Sequence, residues 1–491
     1  MPNTIADNLL RLIDAAKNIA TSITAKGGTV TEGNKITNFA KDILTIPYKT
    51  ILYGWHVDPN ISNSSDAITY LNDAVGMTPA SMGASEFNYG SWKNAFFMPK
   101  PCMVNYDGTV AYYLDPNDYS KRTDGRPSDV GNPNFPGNAM MQWPLIWYKF
   151  EGGTEDGEGY FYVANRQVDS TYHCWCNVDS KNNIIPHFYT AIYNSTSFSN
   201  YDASTTYAVG DTAVYDSKLY KCTTAISEAE AFDSSKWEVW SDVAPDINKY
   251  HSMSGLHLTK NNGASNTNGT TEITRSTANN TTSDVEWYTE VFSDRLLINA
   301  LLVLMGKSIN TQAVFGRGLD SGGETAKNNY VTGSLNDKGL FWGVTNVGTS
   351  GVKVFGMENY WACLWRRTAG CVGVSGNYKI KLTYGTADGT TVEGYNSNGN
   401  GYLDSGVIPA TGYVKTFRYS ENGFVPDITT GGSNFTYYAD YFYKGNGYLL
   451  VGGRSDDGTY GGAFYFYLDY GFSDSAWSVS AALSCKPVWK G

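Results

Sequence analysis

Near the N terminus, apolar side chains recur at spacings of three and four: Ile5, Leu9, Leu12, Ile13, Ala16, Ile19, Ala20 and Ile23. That spacing lines one face of an α-helix. Asn3 or Thr4 can cap it, and Gly27-Gly28 ends it. A second short helix is expected over 35–44, with Pro47 closing the module. A lone helix cannot bury such a stripe, so residues 1–47 pack on their own hairpin partner or on other copies.

From Tyr48 onward the period shortens to two. Strands are expected over 104–113, with a turn at Asp107-Gly108, and over 160–163 and 188–193. Phe464, Phe466 and Leu468 alternate with Tyr465, Tyr467 and Asp469, which predicts a strand with an apolar face and a tyrosine-carboxylate face. Trp477, Val479, Ala481 and Leu483 alternate with Ser478, Ser480, Ala482 and Ser484 and predict a final strand. Leu449-Leu450-Val451 reads as a short strand running into the permissive turn Gly452-Gly453. The Asn/Thr/Ser/Gly-rich stretch 261–282 reads as a loop, and 293–306 carries a helical apolar pattern. The longest apolar run, 296–305, is interrupted by Asn299 and is too short to span a bilayer. Alternation through 213–220 predicts a small hairpin inside an inserted module, 201–245.

Composition narrows the function classes. With 491 residues and 41% hydrophobic content the chain can build one large or two to three ordinary domains. Charged residues make up only 17%, while 37 Tyr and 13 Trp supply rigid, amphipathic contact surface. The net charge of −11 and scattered Lys and Arg leave no basic footprint, so no nucleic acid is expected as partner. The start, Met1-Pro2-Asn3-Thr4, shows no signal-peptide pattern, and no membrane insertion is expected. The 7 Cys form an odd set without framework spacing, so buried free thiols are expected, as in a protein assembled in a reducing cytoplasm.

Candidate chemistry is sparse. Cys174 and Cys176 lack a second ligand pair at zinc spacing. His251 and His257 miss the spacing of a metallohydrolase helix. Asp456-Asp457 falls short of calcium's ligand number and reads as a pair of turn acids. No catalytic residue, metal or cofactor is expected, although spacing alone leaves Asp115 and Asp118 open as a glycosidase pair. Polar and aromatic side chains concentrate instead where core packing does not demand them. These are Arg454, Ser455, Asp456, Asp457, Thr459 and Tyr460, then Tyr465, Tyr467, Asp469, Tyr470, Phe472, Ser473 and Asp474. They form the candidate ligand-binding face, within a region of about 437–484.

Three resemblances attach to these stretches. The segment 8–46, with LLRLIDAAKNIATSITAKGGTV and ITNFAKDILTI, resembles a short N-terminal module of phage and prophage tail-fibre proteins, which implies attachment to tail or baseplate proteins. In 201–240, Tyr207, Gly210, Asp211, Val214, Tyr215, Leu219, Tyr220 and Trp237 resemble the family V/XII carbohydrate-binding modules. That family carries adjacent aromatics where this chain has Cys222, Thr223 and Thr224, so sugar stacking and a purely structural insert both stay open. The stretch YLLVGGRSDDGTYGGAFYFYLDYGFSDSAWSVSAALS resembles the variable region of phage receptor binders with a C-type-lectin-like fold, the kind that diversity-generating retroelements mutate. FGMENYWACLWRRTAG, LLVLMGKSINTQAVFGRG and YDGTVAYYLDPNDYS resemble the constant part of the same proteins. None of the Glu-Pro-Asn, Gln-Pro-Asp or Trp-Asn-Asp triplets of calcium-dependent sugar lectins occurs, and Cys363, Cys371 and Cys485 sit in no motif of the related formylglycine-generating enzymes.

The expected architecture is therefore α+β: a helical attachment module at 1–47, then a C-type-lectin-like domain in two parts, 48–200 and 246–491, interrupted by a small β insert at 201–245. The resemblance implies a homotrimeric adhesin of a virion tail that binds a bacterial surface receptor, glycan or protein, without catalysis. A tail-associated glycan hydrolase and a structural tail protein without a receptor are the alternatives.

Overall fold

The computed structural model describes residues 5–25, 30, 49–382, 406–421, 423–429 and 438–489. The chain divides into two compact units, Met1–Ile51 and Leu52–Gly491. In the first, the helix Ile5–Ala25 follows the three-four spacing. Ala16, Ala20 and Ile23 are buried, with Val30 packed against them, while Leu12, Ile13 and Ile19 remain exposed on the same helix. The capping positions, Gly27-Gly28 and the second helix at 35–44 lie outside the described residues.

The second unit is α+β and mostly antiparallel sheet. A four-stranded sheet runs in the order Ile68–Asn72, Leu52–Val57, Gly159–Ala164, Trp147–Gly152. A seven-stranded sheet runs Val285–Thr289, Leu483–Pro487, His187–Ala191, Gly137–Pro144, Lys100–Asn105, Val110–Asp115, Asp118–Arg122. Leu483–Pro487 thus sits between strands from the middle and the first half of the chain, so this sheet forms only when distant segments meet. An eight-stranded sheet contains the C-terminal candidate region, in the order Asn377–Ile380, Trp365–Val374, Tyr448–Gly452, Gly462–Tyr467, Tyr441–Tyr443, Gly412–Ser420, Gly423–Thr429, with Val479–Ser480 alongside Trp365–Val374.

Between these layers lies the helix Phe292–Gly306, buried along its whole length. Trp55 Nε1 and Tyr70 Oη of the four-stranded sheet donate to the carbonyls of Ala300 and Leu304, at 3.0 and 2.8 Å. On another side, Phe292 meets Phe466 edge-on, and Asn299 Nδ2 donates to the Ala463 carbonyl at 2.6 Å. Charges near its first turn are paired rather than solvated: Arg295 with Glu290 at 3.2 Å, and Asp294 with Lys486 at 3.7 Å. A buried charge without a partner would cost several kcal/mol, so these pairs fix how the helix seats.

The segment 201–245 builds its own three-stranded sheet, Thr212–Tyr215, Lys218–Cys222, Trp237–Ser241, turning at Asp216 and Ser217, both left-handed. Tyr207, Ala213, Cys222, Ile226 and Trp237 fill its small core. Its other side is continuous with the body, since Val214 and Leu219 pack with Phe198, Met253 and Leu256.

Two expected elements differ. Within the expected loop 261–282, Gly269–Thr277 is a helix, capped by Asn268 Oδ1, which accepts from the Thr271 amide. Local Asn, Thr and Ser propensity favoured a loop; burial of Glu272 against Arg367 at 2.9 Å overrides it. The expected single strand 477–484 is two, Val479–Ser480 and Leu483–Pro487, in different sheets. Ala481 and Ala482 carry the crossing, and both alternating faces are buried.

Candidate functional site

Strands Tyr441–Tyr443 and Gly462–Tyr467 run parallel, with Phe442 opposite Phe466 and Tyr443 opposite Tyr467. Both read Tyr-Phe-Tyr, so period two sends the phenylalanines to one face and the tyrosines to the other. Phe442, Phe464, Phe466 and Leu468 are buried in the main core, as the alternation predicts. The opposite face carries a row of rings in contact. Tyr460 lies 4.7 Å from Tyr441, Tyr441 lies 4.9 Å from Tyr443, Tyr443 lies 4.7 Å from Tyr467, and Tyr467 lies 5.6 Å from Tyr470. Trp365 flanks this row on the same face, 4.8 Å from Tyr467 and 5.7 Å from Tyr470.

Tyr465 departs from the expectation of exposure: it is 0% exposed. On that face Trp365, Leu450 and Val479, from neighbouring strands of the same sheet, pack around it. The register is as expected; the cross-strand neighbours that enclose the side chain, all from the same sheet, were not visible in the alternation. Burial holds the Tyr465 hydroxyl well above its usual range, and among the described residues it has no hydrogen-bond partner. Tyr443, Tyr467 and Tyr470 are half-buried, and Tyr460 is 37% exposed.

The loop 454–460 folds over the edge of this face. Gly452 and Gly453 are both left-handed, φ +91° and +84°, and a Cβ on Gly453 would come within 2.6 Å of Gly461, which explains two glycines in succession. The Arg454 guanidinium stacks 4.4 Å over Trp365 and 5.3 Å from Trp477 and pairs with Asp456 at 2.5 Å. Such cation–π stacking fixes a long side chain at low entropic cost. Asp457 accepts from Trp365 Nε1 and from the Arg454 amide, each at 2.9 Å. Burial pushes its carboxyl up to about 6, against these hydrogen bonds and Arg454.

The remaining predicted residues divide. Ser455 is buried and donates to the Gly323 carbonyl at 2.7 Å, a structural role rather than a contact position. Thr459 is half-buried beside Tyr460, and Asp469 is exposed beside Tyr470. Phe472 turns away and packs on Tyr448 at 5.5 Å. Ser473 and Asp474 are exposed, and the carbonyl of Asp474 accepts from buried Arg367 at 2.9 Å. The structure therefore brings Arg454, Asp456, Asp457, Tyr460, Tyr467 and Tyr470 together and sets Phe472 apart. It adds Trp365, Tyr441 and Tyr443; the repeated Tyr-Phe-Tyr was the legible signal for the last two.

Asp115 and Asp118 each cap a turn, accepting from the amides of Asn117 and Ser120, and Asp118 pairs with Lys121 at 2.8 Å. All seven cysteines are buried free thiols, and burial pushes Cys363 up to about 12. His251 is buried and held down to about 4, with the Asp246 carbonyl 3.3 Å from its Nε2. Among the described residues no His/Cys/Asp/Glu group is arranged to hold a metal, and no helix is long and apolar enough to cross a membrane.

The chain is an α+β protein, mostly antiparallel sheet, with a row of contacting tyrosine rings on one face of its C-terminal sheet. No protein-family model matches the chain, and no curated protein matches it either.

Proposed function

We propose that the protein is a non-catalytic adhesin of a phage tail tip, with a C-type-lectin-like body that binds a bacterial surface receptor through the tyrosine row of its C-terminal sheet. One observation carries this reading: five contacting tyrosines, Tyr460, Tyr441, Tyr443, Tyr467 and Tyr470, run across one sheet face and its margins beside a Trp365–Arg454 stack. Rigid aromatic area with a few charged groups at its margin favours binding, because little side-chain entropy remains to be lost. Attachment through residues 1–47 and a trimeric arrangement belong to the same reading, and several copies per particle would convert weak sites into avidity.

The test is competition. Purified protein is added to the bacterial host before infection, and phage adsorption is counted. Adsorption falls with the native protein and recovers with Tyr467→Ala or Tyr443→Ala. Undiminished adsorption at saturating protein overturns the reading, and release of reducing ends from host glycan turns it to the hydrolase alternative.

A further inference from the structure

A second aromatic site stands on the four-stranded sheet, formed by residues outside the tyrosine row. Tyr160 and Tyr162 project from the same face of Gly159–Ala164. Their planes differ by 3° and their centroids are 6.4 Å apart. That separation is about the two-residue rise of one strand, roughly 6.7 Å, so the two near-parallel rings are neighbours along the strand on one face of the sheet. His56, opposite Tyr160 on the neighbouring strand, stacks on it at 4.5 Å, and Glu158 accepts from the Tyr160 hydroxyl at 2.8 Å. Gly54, opposite Tyr162, leaves room for that ring, since a Cβ there would come within 3.0 Å of it.

Against these rings lies an open cleft of about 460 Å³, lined also by Lys149, Glu151, Thr171 and Glu421. Small-ligand clefts run from roughly 300 to 1,000 Å³. Lys149 sits 5.1 Å over Tyr162 and pairs with Glu151 at 2.6 Å. Glu421 is held at the rim by His173 at 2.7 Å. Two near-parallel aromatic rings, one held by His56, in a cleft with two carboxylates, an ammonium and a hydroxyl, match a pyranose ring: one C–H face and a rim of hydroxyls that donate and accept. Two carboxylates against one ammonium give no attraction to an acidic sugar.

We propose that this cleft is a binding subsite for an uncharged saccharide, with the sugar ring laid against Tyr160 and Tyr162 and its hydroxyls bonded to Glu151, Glu421 and Lys149. The site is independent of the C-terminal tyrosine row and stands or falls separately from it.

The test applies the full chain to an array of neutral and acidic oligosaccharides and titrates the best binder by calorimetry. At least one neutral glycan binds and uronate-bearing glycans do not. Tyr160→Ala/Tyr162→Ala weakens binding tenfold or more, and Tyr160→Phe, which keeps the ring, binds as the native protein does. Tyr467→Ala leaves this binding unchanged. If the double variant fails to fold, Glu151→Gln/Glu421→Gln serves in its place, with the same tenfold loss expected as charge-assisted bonds are removed. Absence of any neutral binder, preference for acidic glycans, or binding that survives the cleft variants overturns the proposal.

Discussion

Asp457 shows how one residue ties the candidate face to pH. Its carboxyl sits near 6 in the fold, raised by burial, while an unfolded chain would hold it near 3.9. The native state therefore binds more protons between about pH 4 and 6, and the stability linked to this group is present below that window and lost as pH rises through it. The groups facing it are Arg454, Asp456, Tyr443 and Tyr465. Asp457→Asn should remove this slope: the stability difference between variant and native protein should grow in the variant's favour by roughly 1–3 kcal/mol between pH 4 and 7, read from denaturant midpoints. A parallel pair of profiles would refute the assignment. Two ring positions make a second residue-scale contrast. Phe466→Ala opens a cavity in the core and should cost about 3–5 kcal/mol. Tyr465→Phe should instead stabilise the fold by about 1 kcal/mol, because it deletes a buried hydroxyl without a partner. Thermal melts of the two variants check both signs.

Among the elements, the insert is bound to the body more firmly than a small β module on flexible linkers would be. Asp211 is buried and accepts from Thr259 Oγ1 at 2.5 Å, Asn261 Nδ2 at 2.8 Å and the Ala208 amide at 2.9 Å, joining the insert to the chain that follows it. Asp211→Ala leaves the buried Thr259 hydroxyl without its acceptor and removes two part-buried bonds, and it should lower global stability by roughly 1–3 kcal/mol rather than release the insert alone. Hydrogen exchange would show the difference: protection lost across 250–262 as well as 201–241 supports the coupling, and loss confined to the insert contradicts it. Cys222, Thr223 and Thr224 leave the insert without the adjacent aromatics of the carbohydrate modules it resembles, while Phe232 stacks on Tyr215 at 4.0 Å within its own surface.

At the scale of the whole molecule, the unit Leu52–Gly491 has its own core, with the helix Phe292–Gly306 at its centre. A protein beginning at Leu52 should therefore melt within a few degrees of the full chain and keep its ligand binding. A large drop in its melting temperature would show that residues 1–51 contribute to that core. In the same test on particles, the shortened protein should no longer join the virion if the N-terminal unit is the attachment module.

What the chain determined by itself was local. Spacings of three and four specify the helix Ile5–Ala25, the apolar run specifies the helix Phe292–Gly306, and alternation specifies which side of Gly462–Tyr467 faces the core. These follow from backbone geometry that each segment carries regardless of its neighbours. Only the tertiary structure decided what packs together on the other side. Tyr465 is buried because Trp365, a hundred positions earlier in the chain, packs beside it from another strand of the same sheet, and the strand expected at 477–484 divides because its two halves find partners in different sheets. A helix forms in the Asn-rich stretch because Glu272 has Arg367 to meet. Long-range pairing leaves no periodic mark, since the energy that selects it is shared between segments and belongs to neither alone.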